Sequence, residues 1–278
     1  MFANRRLLIA TMHKKEQVIA PILERELGVS CFTLDHFDTD RLGTFSGEIE
    51  RKSDPISTAI EKCKTAMTLA NCDLGVASEG SFGNHPTVFF ATADDEFLVF
   101  IDLKNNLEII ARNISLDTNF ASETISSIPD LKTFAKKVQF PSHGIILKDN
   151  ALKPKVIYKD CNSWSDLETA FYNLTQQQTS ITAETDMRAM RNPTRMKVIE
   201  QATLNLIIKI KSTCPSCNHP GFEVIEILRG LPCEICNAPT RSPKIERFKC
   251  KKCTFEALIE ISIDKKYEDP MYCDFCNP

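Results

Sequence analysis

Eight cysteines fall after Ser212 as four C-x-x-C pairs: Cys214/Cys217, Cys233/Cys236, Cys250/Cys253 and Cys273/Cys276. Two thiolates three residues apart on a tight turn fill two corners of a zinc tetrahedron, and a second pair closes it. Eight thiolates therefore predict two structural Zn2+ ions, each held by four cysteines. Such a site has no open position for a reacting water, so its chemistry is the folding of a domain too small for its own core. Segments of fifteen, thirteen and nineteen residues separate the pairs, and the spacing allows three ways of combining them. Residues 249–253 (KCKKC) lie between two alternating stretches, 244–248 and 255–263, as in a ribbon hairpin. The expected pairing is Cys233/Cys236 with Cys250/Cys253, leaving Cys214/Cys217 to meet Cys273/Cys276; sequential pairing is the rival.

A second set of chemically capable residues lies in the first half of the chain. Three segments follow short apolar runs: residues 11–15, residues 38–50, and residues 78–85 after a strand expected to end at Ala77. In open α/β sheets ligands bind beyond the carboxyl ends of strands, so these segments could converge. They would offer Lys15 for phosphate, Asp40, Glu48 and Asp54 for Mg2+ or Mn2+, and Glu79 as ligand or general base. Thr11, His13, Ser78 and Ser81 would line the same site. Glu79 stands out because a carboxylate between a buried strand and Gly80 is costly to bury without a partner. Arg188, Arg191 and Arg195 lie at the start of a helix, where backbone N–H groups already favour an anion. Salt bridges to acidic loops are the plainer use of those arginines.

The elements that must position these groups follow from apolar periodicity and stop signals. Residues 6–10 read as a buried strand, residues 17–27 as an amphipathic helix closed by Gly28 and interrupted by Pro21, and residues 29–34 as a second strand. Asp54-Pro55 gives an N-cap and a first-turn proline ahead of the stripe Ile56, Ala59, Ile60, Cys63, Met67. Residues 97–102 and 107–112 predict a hairpin through Asn105-Asn106. Helices are expected at 130–138 and 165–174, with a strand at 144–147 between them. Asn192-Pro193 opens a long helix. Strands alternating with helices predict an α/β fold, a mixed sheet flanked by helices, over residues 1–211, with a double zinc-ribbon module over 212–278.

Composition sets the outer bounds. With 42% hydrophobic and 26% charged residues and a net charge of −3, the 278 residues exclude wholesale disorder and a collagen-like chain. No apolar run approaches the roughly 20 residues of a spanning helix, and residues 1–15 lack the apolar region of a secretory signal. A cytoplasmic, reducing location is expected, where spaced cysteines bind metal rather than form disulfides. The other four cysteines, Cys31, Cys63, Cys72 and Cys161, show no pairing pattern and read as packing residues. From Cys214 onward nine Lys/Arg face ten Asp/Glu, and zinc with four thiolates adds −2 per site, which brings the module to about −5. A nucleic-acid face should be strongly basic; the only local cluster is Lys244, Arg247, Lys249, Lys251 and Lys252. No Walker phosphate loop and no G-x-G-x-x-G occurs.

Through residues 10–16 (ATMHKKE), 38–51, 77–86 (ASEGSFGNHP), 185–196 (TDMRAMRNPTRM) and the paired cysteines, the whole chain resembles a bacterial family of unknown function. Residues 7–112 also resemble the inosine/xanthosine triphosphatase branch of the house-cleaning nucleotide pyrophosphatases. Ala10, Thr11 and Lys15 fit the first motif of those enzymes, with Met12 where they carry asparagine. Asp54 and Lys62 fit the second, and Glu79-Gly80 the third. The resemblance implies a nucleotide or phosphorylated small molecule as substrate and Mg2+-dependent hydrolysis of a phosphoanhydride. The alternative is a non-enzymatic zinc-ribbon protein that binds nucleic acid or a protein partner.

Overall fold

The computed structural model describes residues 1–34, 54–151, 154–176, 180–261 and 264–278. Asp40 and Glu48 lie outside the described residues, as does nearly all of the acidic segment that contains them. The chain forms two compact units, Met1–Ile207 and Ile208–Pro278.

The first unit begins with the parallel strands β1 (Arg6–Ala10) and β2 (Ser30–Phe32), joined by α1 (Glu16–Leu27). Pro21 lies within α1, and the helix stops at Gly28, whose φ of 67° is the left-handed cap that glycine adopts without strain. Helix α2 (Pro55–Leu69) then returns the chain to β3 (Leu74–Asn84) on the other side of β1. Asp54 caps α2 by accepting hydrogen bonds from the Ile56 and Ser57 amides. Strand order is β2-β1-β3-β4-β5, with β4 (Thr92–Asp102) and β5 (Leu107–Ser115) antiparallel. The expected hairpin is present, and Asn106 takes positive φ in its turn.

Right-handed crossovers that run in opposite directions across the sheet, β1 to β2 and then β2 past β1 to β3, put their helices on opposite faces. Residues Ala59, Cys63, Ala66 and Met67 of α2 accordingly pack with Leu8, Ala10, Ala77 and Val99 on one face. Leu7, Ile9 and Val76 point to the other face and are equally buried. At Gly75 an added Cβ would lie 2.8 Å from Met67 and 3.0 Å from Cys63 Sγ, so glycine is what lets α2 approach β3.

Strand β3 does not end at Ala77. It continues through Ser78, Glu79 and Gly80 to Asn84, paired throughout with β4. The polar, glycine-containing run ASEGSFGN reads as a loop by composition, but the long partner β4 gives its backbone a ladder to join.

A second sheet in the same unit has the order β6-β9-β7-β8 and is wholly antiparallel: β6 (Ser122–Ile125), β9 (Ile181–Thr185), β7 (Ile145–Asp149) and β8 (Ile157–Tyr158). Leu131 and Phe134 of α3 (Ile128–Lys137) and Leu167 and Phe171 of α4 (Trp164–Thr175) bury against Ile145, Leu147, Ile181 and Ala183. The short strands β6, β8 and β9 carry too few residues to show a period in the sequence. Helix α5 (Pro193–Lys211) follows β9, with the Asn192 side chain accepting from the Arg195 amide.

The second unit is built on an antiparallel meander of β10 (Glu223–Arg229), β11 (Pro243–Lys249) and β12 (Glu256–Glu260). Its apolar core is small: besides cysteines, Ile210, Pro220, Phe222 and Leu231 are its buried apolar side chains among the described residues. Among the described residues, no helix is long and apolar enough to cross a membrane.

Candidate functional site

The four knuckles meet in two groups, Cys214, Cys217, Cys250 and Cys253 at one centre and Cys233, Cys236, Cys273 and Cys276 at the other. Sulfur–sulfur distances are 3.7 Å for Cys214–Cys253 and Cys217–Cys250, 3.8 Å for Cys233–Cys276 and 3.6 Å for Cys236–Cys273. A tetrahedron with Zn–S bonds near 2.3 Å has edges of about 3.8 Å, so both clusters could hold structural metal ions such as zinc. A disulfide would bring the sulfurs to about 2.05 Å. The amides of Lys252 and Cys253 donate to Cys250 Sγ at 3.3 and 3.4 Å, the turn that presents a thiolate pair outward.

This arrangement corrects the expected pairing of Cys233/Cys236 with Cys250/Cys253, and it is not the sequential one either. The reason is the meander. Each strand carries the chain from one end of the sheet to the other, so successive knuckles land at opposite ends. Glu223 pairs with Lys249 and Lys249 with Glu256, which gathers the first and third knuckles. Arg229 pairs with Pro243 and Ile245 with Glu260, which leaves the second and fourth at the far end. Seven-residue strands span roughly 23 Å, too far for adjacent knuckles to share an ion. The basic cluster on this sheet is largely engaged with acids: Arg247 with Glu226 and Glu256, Lys249 with Glu256, and Lys251 with Glu223.

In the first unit the polar residues gather where β1 stops and β3 runs on. Pairing between the two ends at Ala10 and Ala77. The next carbonyl, Ser78 O, therefore has no β1 amide beside it, and two lysines take that place. Lys62 Nζ donates to it at 2.9 Å, while Lys15 Nζ lies 3.5 Å from it and 3.0 Å from Ser78 Oγ. Lys62 also pairs with the Glu79 carboxylate. Lys15, Lys62 and Glu79 are all buried. Burial pushes the Lys15 ammonium down to about 7, with Arg195 the next cause. His13, half-buried nearby, is held down to about 4 by burial and then by Lys15 and Arg195.

Alternation along β3 divides these groups between two faces. Glu79 faces α2 and Lys62. Ser78, Gly80 and Phe82 face the other way, opposite Leu98, Glu96 and Asp94 of β4. On that second face the fully buried Arg195 donates from Nε to Glu96 Oε1 at 2.6 Å, donates to the Met187 carbonyl, and lies 4.9 Å from the Phe82 ring centroid. A Cβ on Gly80 would overlap Glu96 Oε1 and lie 2.6 Å from Arg195 Nη2, so glycine is what admits the ion pair beside the strand. Asp94 is 1% exposed and neither of its oxygens finds a donor; burial and then Glu96 push its carboxyl up to about 8.

The structure thus brings together Thr11, His13, Lys15, Ser78, Glu79 and Arg195. Ser81 sits on β3 on the Glu79 face. Asp54 is exposed and serves the helix N-terminus. Arg188 is bound by Asp186 and Asp160, and Arg191 by Asp160 and Asn162. Asp94 and Glu96 were not anticipated. Their signal was present: in TADDEFLVFID the two acids fall at period two with Leu98 and Phe100, which places them on a buried face.

A family profile described as a domain of unknown function (DUF6671) matches residues 62–278, most of the chain from Lys62 to the last knuckle. The chain belongs to this family. The match spans Glu79, Asp94, Glu96, Arg195 and all eight paired cysteines. A search of curated proteins returned no match.

A pH effect follows from Lys15. Its folded pKa near 7 lies below the ordinary lysine value, so between pH 7 and about 10.5 the unfolded chain binds the extra proton and stability rises with pH. The melting temperature of the wild type minus that of Lys15→Met should climb across this window. A flat difference would show that the ammonium is not desolvated.

Proposed function

We propose that the α/β unit hydrolyses a phosphoanhydride of a nucleotide or other small molecule with the help of a divalent cation, and that the second unit holds two structural zinc ions. The observation that carries this reading is the convergence of Lys15 and Lys62 on Ser78, with Glu79 against Lys62. Buried ammonium groups where β1 stops and β3 runs on suit anionic phosphate oxygens, which would restore the full charge of Lys15. Water adds to phosphorus, the bridging P–O bond breaks with its oxygen and electron pair leaving on the departing phosphate, and the water proton passes to Glu79 and then to solvent. A divalent cation, for which the sequence offers Asp40 and Glu48 as candidate ligands, would neutralise charge on the phosphates when bound.

The test is a screen of canonical and modified nucleoside di- and triphosphates with Mg2+ or Mn2+, read as released phosphate or pyrophosphate. Glu79→Gln should lower kcat about a hundredfold or more, the usual weight of a general base. No turnover of any substrate, or turnover unchanged in Glu79→Gln, would sink the reading. The alternative of a nucleic-acid-binding ribbon draws little support from a basic cluster whose Arg247, Lys249 and Lys251 already face acids.

A further inference from the structure

We infer that Asp94 and Glu96 form a seat for a hard divalent cation of the Mg2+ or Mn2+ class, on the face of β3 and β4 away from Glu79. The inference deepens the hydrolase reading by naming the carboxylates that hold its ion.

Both side chains are wholly inside the protein, at 1% and 0% exposure. Three of their four carboxylate oxygens, Asp94 Oδ1, Asp94 Oδ2 and Glu96 Oε2, have no hydrogen-bond partner; the fourth accepts from Arg195. Buried polar atoms are nearly always satisfied, and two carboxylates side by side are the costliest kind to leave bare. Separated by one residue on a strand, they project from the same face and can grip one ion between them.

The available charge also suits an ion. Arg195 offsets one of the two negative charges through its bond to Glu96, and Asp94, though within the field of Arg195 and Lys15, accepts no hydrogen bond from either. A backbone or side-chain donor would have satisfied Asp94 at little cost, yet the neighbouring position on β3 is Phe82. Oxygen-only ligands select Mg2+ or Mn2+ over zinc, which is served elsewhere in the chain by sulfur. Two protein carboxylates are a common complement for Mg2+, which keeps water or substrate phosphate oxygens on its remaining positions. Among the described residues, groups of three or more His, Cys, Asp or Glu ligands occur only at the cysteine centres. Among the described residues the seat is therefore a two-carboxylate one, with its remaining positions left for water or phosphate oxygens.

The full zinc-loaded chain titrated with Mn2+ alone tests this, read by the loss of the free-ion electron paramagnetic resonance signal. One Mn2+ per chain is expected, with affinity at least tenfold weaker in Asp94→Asn and in Glu96→Gln. Zinc content and melting temperature verify that each variant is folded. A second readout needs no variant: Mn2+ should broaden the amide resonances of residues 93–97 in the wild type before those elsewhere. Inorganic pyrophosphate should tighten the ion, since each ligand raises the affinity of the other equally. No bound Mn2+, affinity unchanged in a folded Asp94→Asn, or broadening centred elsewhere overturns the assignment. Mn2+ bound at this seat without any turnover would leave the seat standing and remove the hydrolase. Turnover that survives Asp94→Asn, with Mn2+ binding intact, would do the reverse.

Discussion

Replacing Cys214 and Cys250 together by serine is expected to leave one zinc per chain, whereas replacing Cys214 and Cys233 should leave none. The first pair of changes strikes a single centre because these cysteines share a cluster; the second strikes both. Had Cys233/Cys236 shared an ion with Cys250/Cys253, the first double variant would have lost both metals, so elemental analysis alone decides the pairing. The structural effect should be large. Structural zinc contributes roughly 10–16 kcal/mol of apparent binding energy in small fingers, and Ile208–Pro278 has almost nothing to replace it. Phe222 stacks on Phe248 at 5.3 Å and lies 5.9 Å from Phe255, beside Cys214 and Cys250. Ile225, Ile227, Leu258 and Ile259 are by contrast largely exposed. Loss of the Cys214 centre should therefore abolish hydrogen-exchange protection across β10–β12. Protection in the first unit, which has cores of its own, should persist. Full protection of β10–β12 in a chain that has lost that zinc would refute the role of metal in folding this unit.

How much of this was legible in the residues differs between the two units. The cysteine spacing announces two four-sulfur centres without any structure, because two thiolates three residues apart on a turn suit two corners of a metal tetrahedron and four such pairs make two sets of four. Which knuckle meets which was hidden, since it depends on the number of strands between them. Reading residues 223–229 as a strand in its own right would have placed consecutive knuckles at opposite ends. In the first unit, caps and glycine stops located α1, α2 and α5 because they are local signals. The extension of β3 through Ser78-Glu79-Gly80 was not legible, since a glycine- and serine-rich run becomes a strand only when a partner offers hydrogen bonds. Lys15 and Glu79 were visible as polar residues beside apolar runs. The pair Asp94 and Glu96 was overlooked because DDE in sequence looks like a solvated turn. Only its register against Phe82 and Gly80 turns two of those acids inward.

Arg195→Met is the substitution expected to cost most in the first unit, about 3–5 kcal/mol, the usual penalty for breaking a buried ion pair by removing one partner. Arg195 and Glu96 are both 0% exposed, so no water can take over the abandoned carboxylate. The same guanidinium also satisfies the Met187 carbonyl and covers Phe82, so β3, β4 and the start of α5 loosen together. Arg195→Lys should recover only part of the loss, because an ammonium cannot reproduce the forked contacts to Glu96 and Met187. The informative variant is Arg195→Met with Glu96→Gln. If the penalty is the uncompensated charge, the double variant should melt at a higher temperature than Arg195→Met alone, a coupling of at least about 1 kcal/mol. Additive losses would instead mean that packing of Arg195 against Gly80 and Phe82, rather than its charge, holds this part of the sheet to α5.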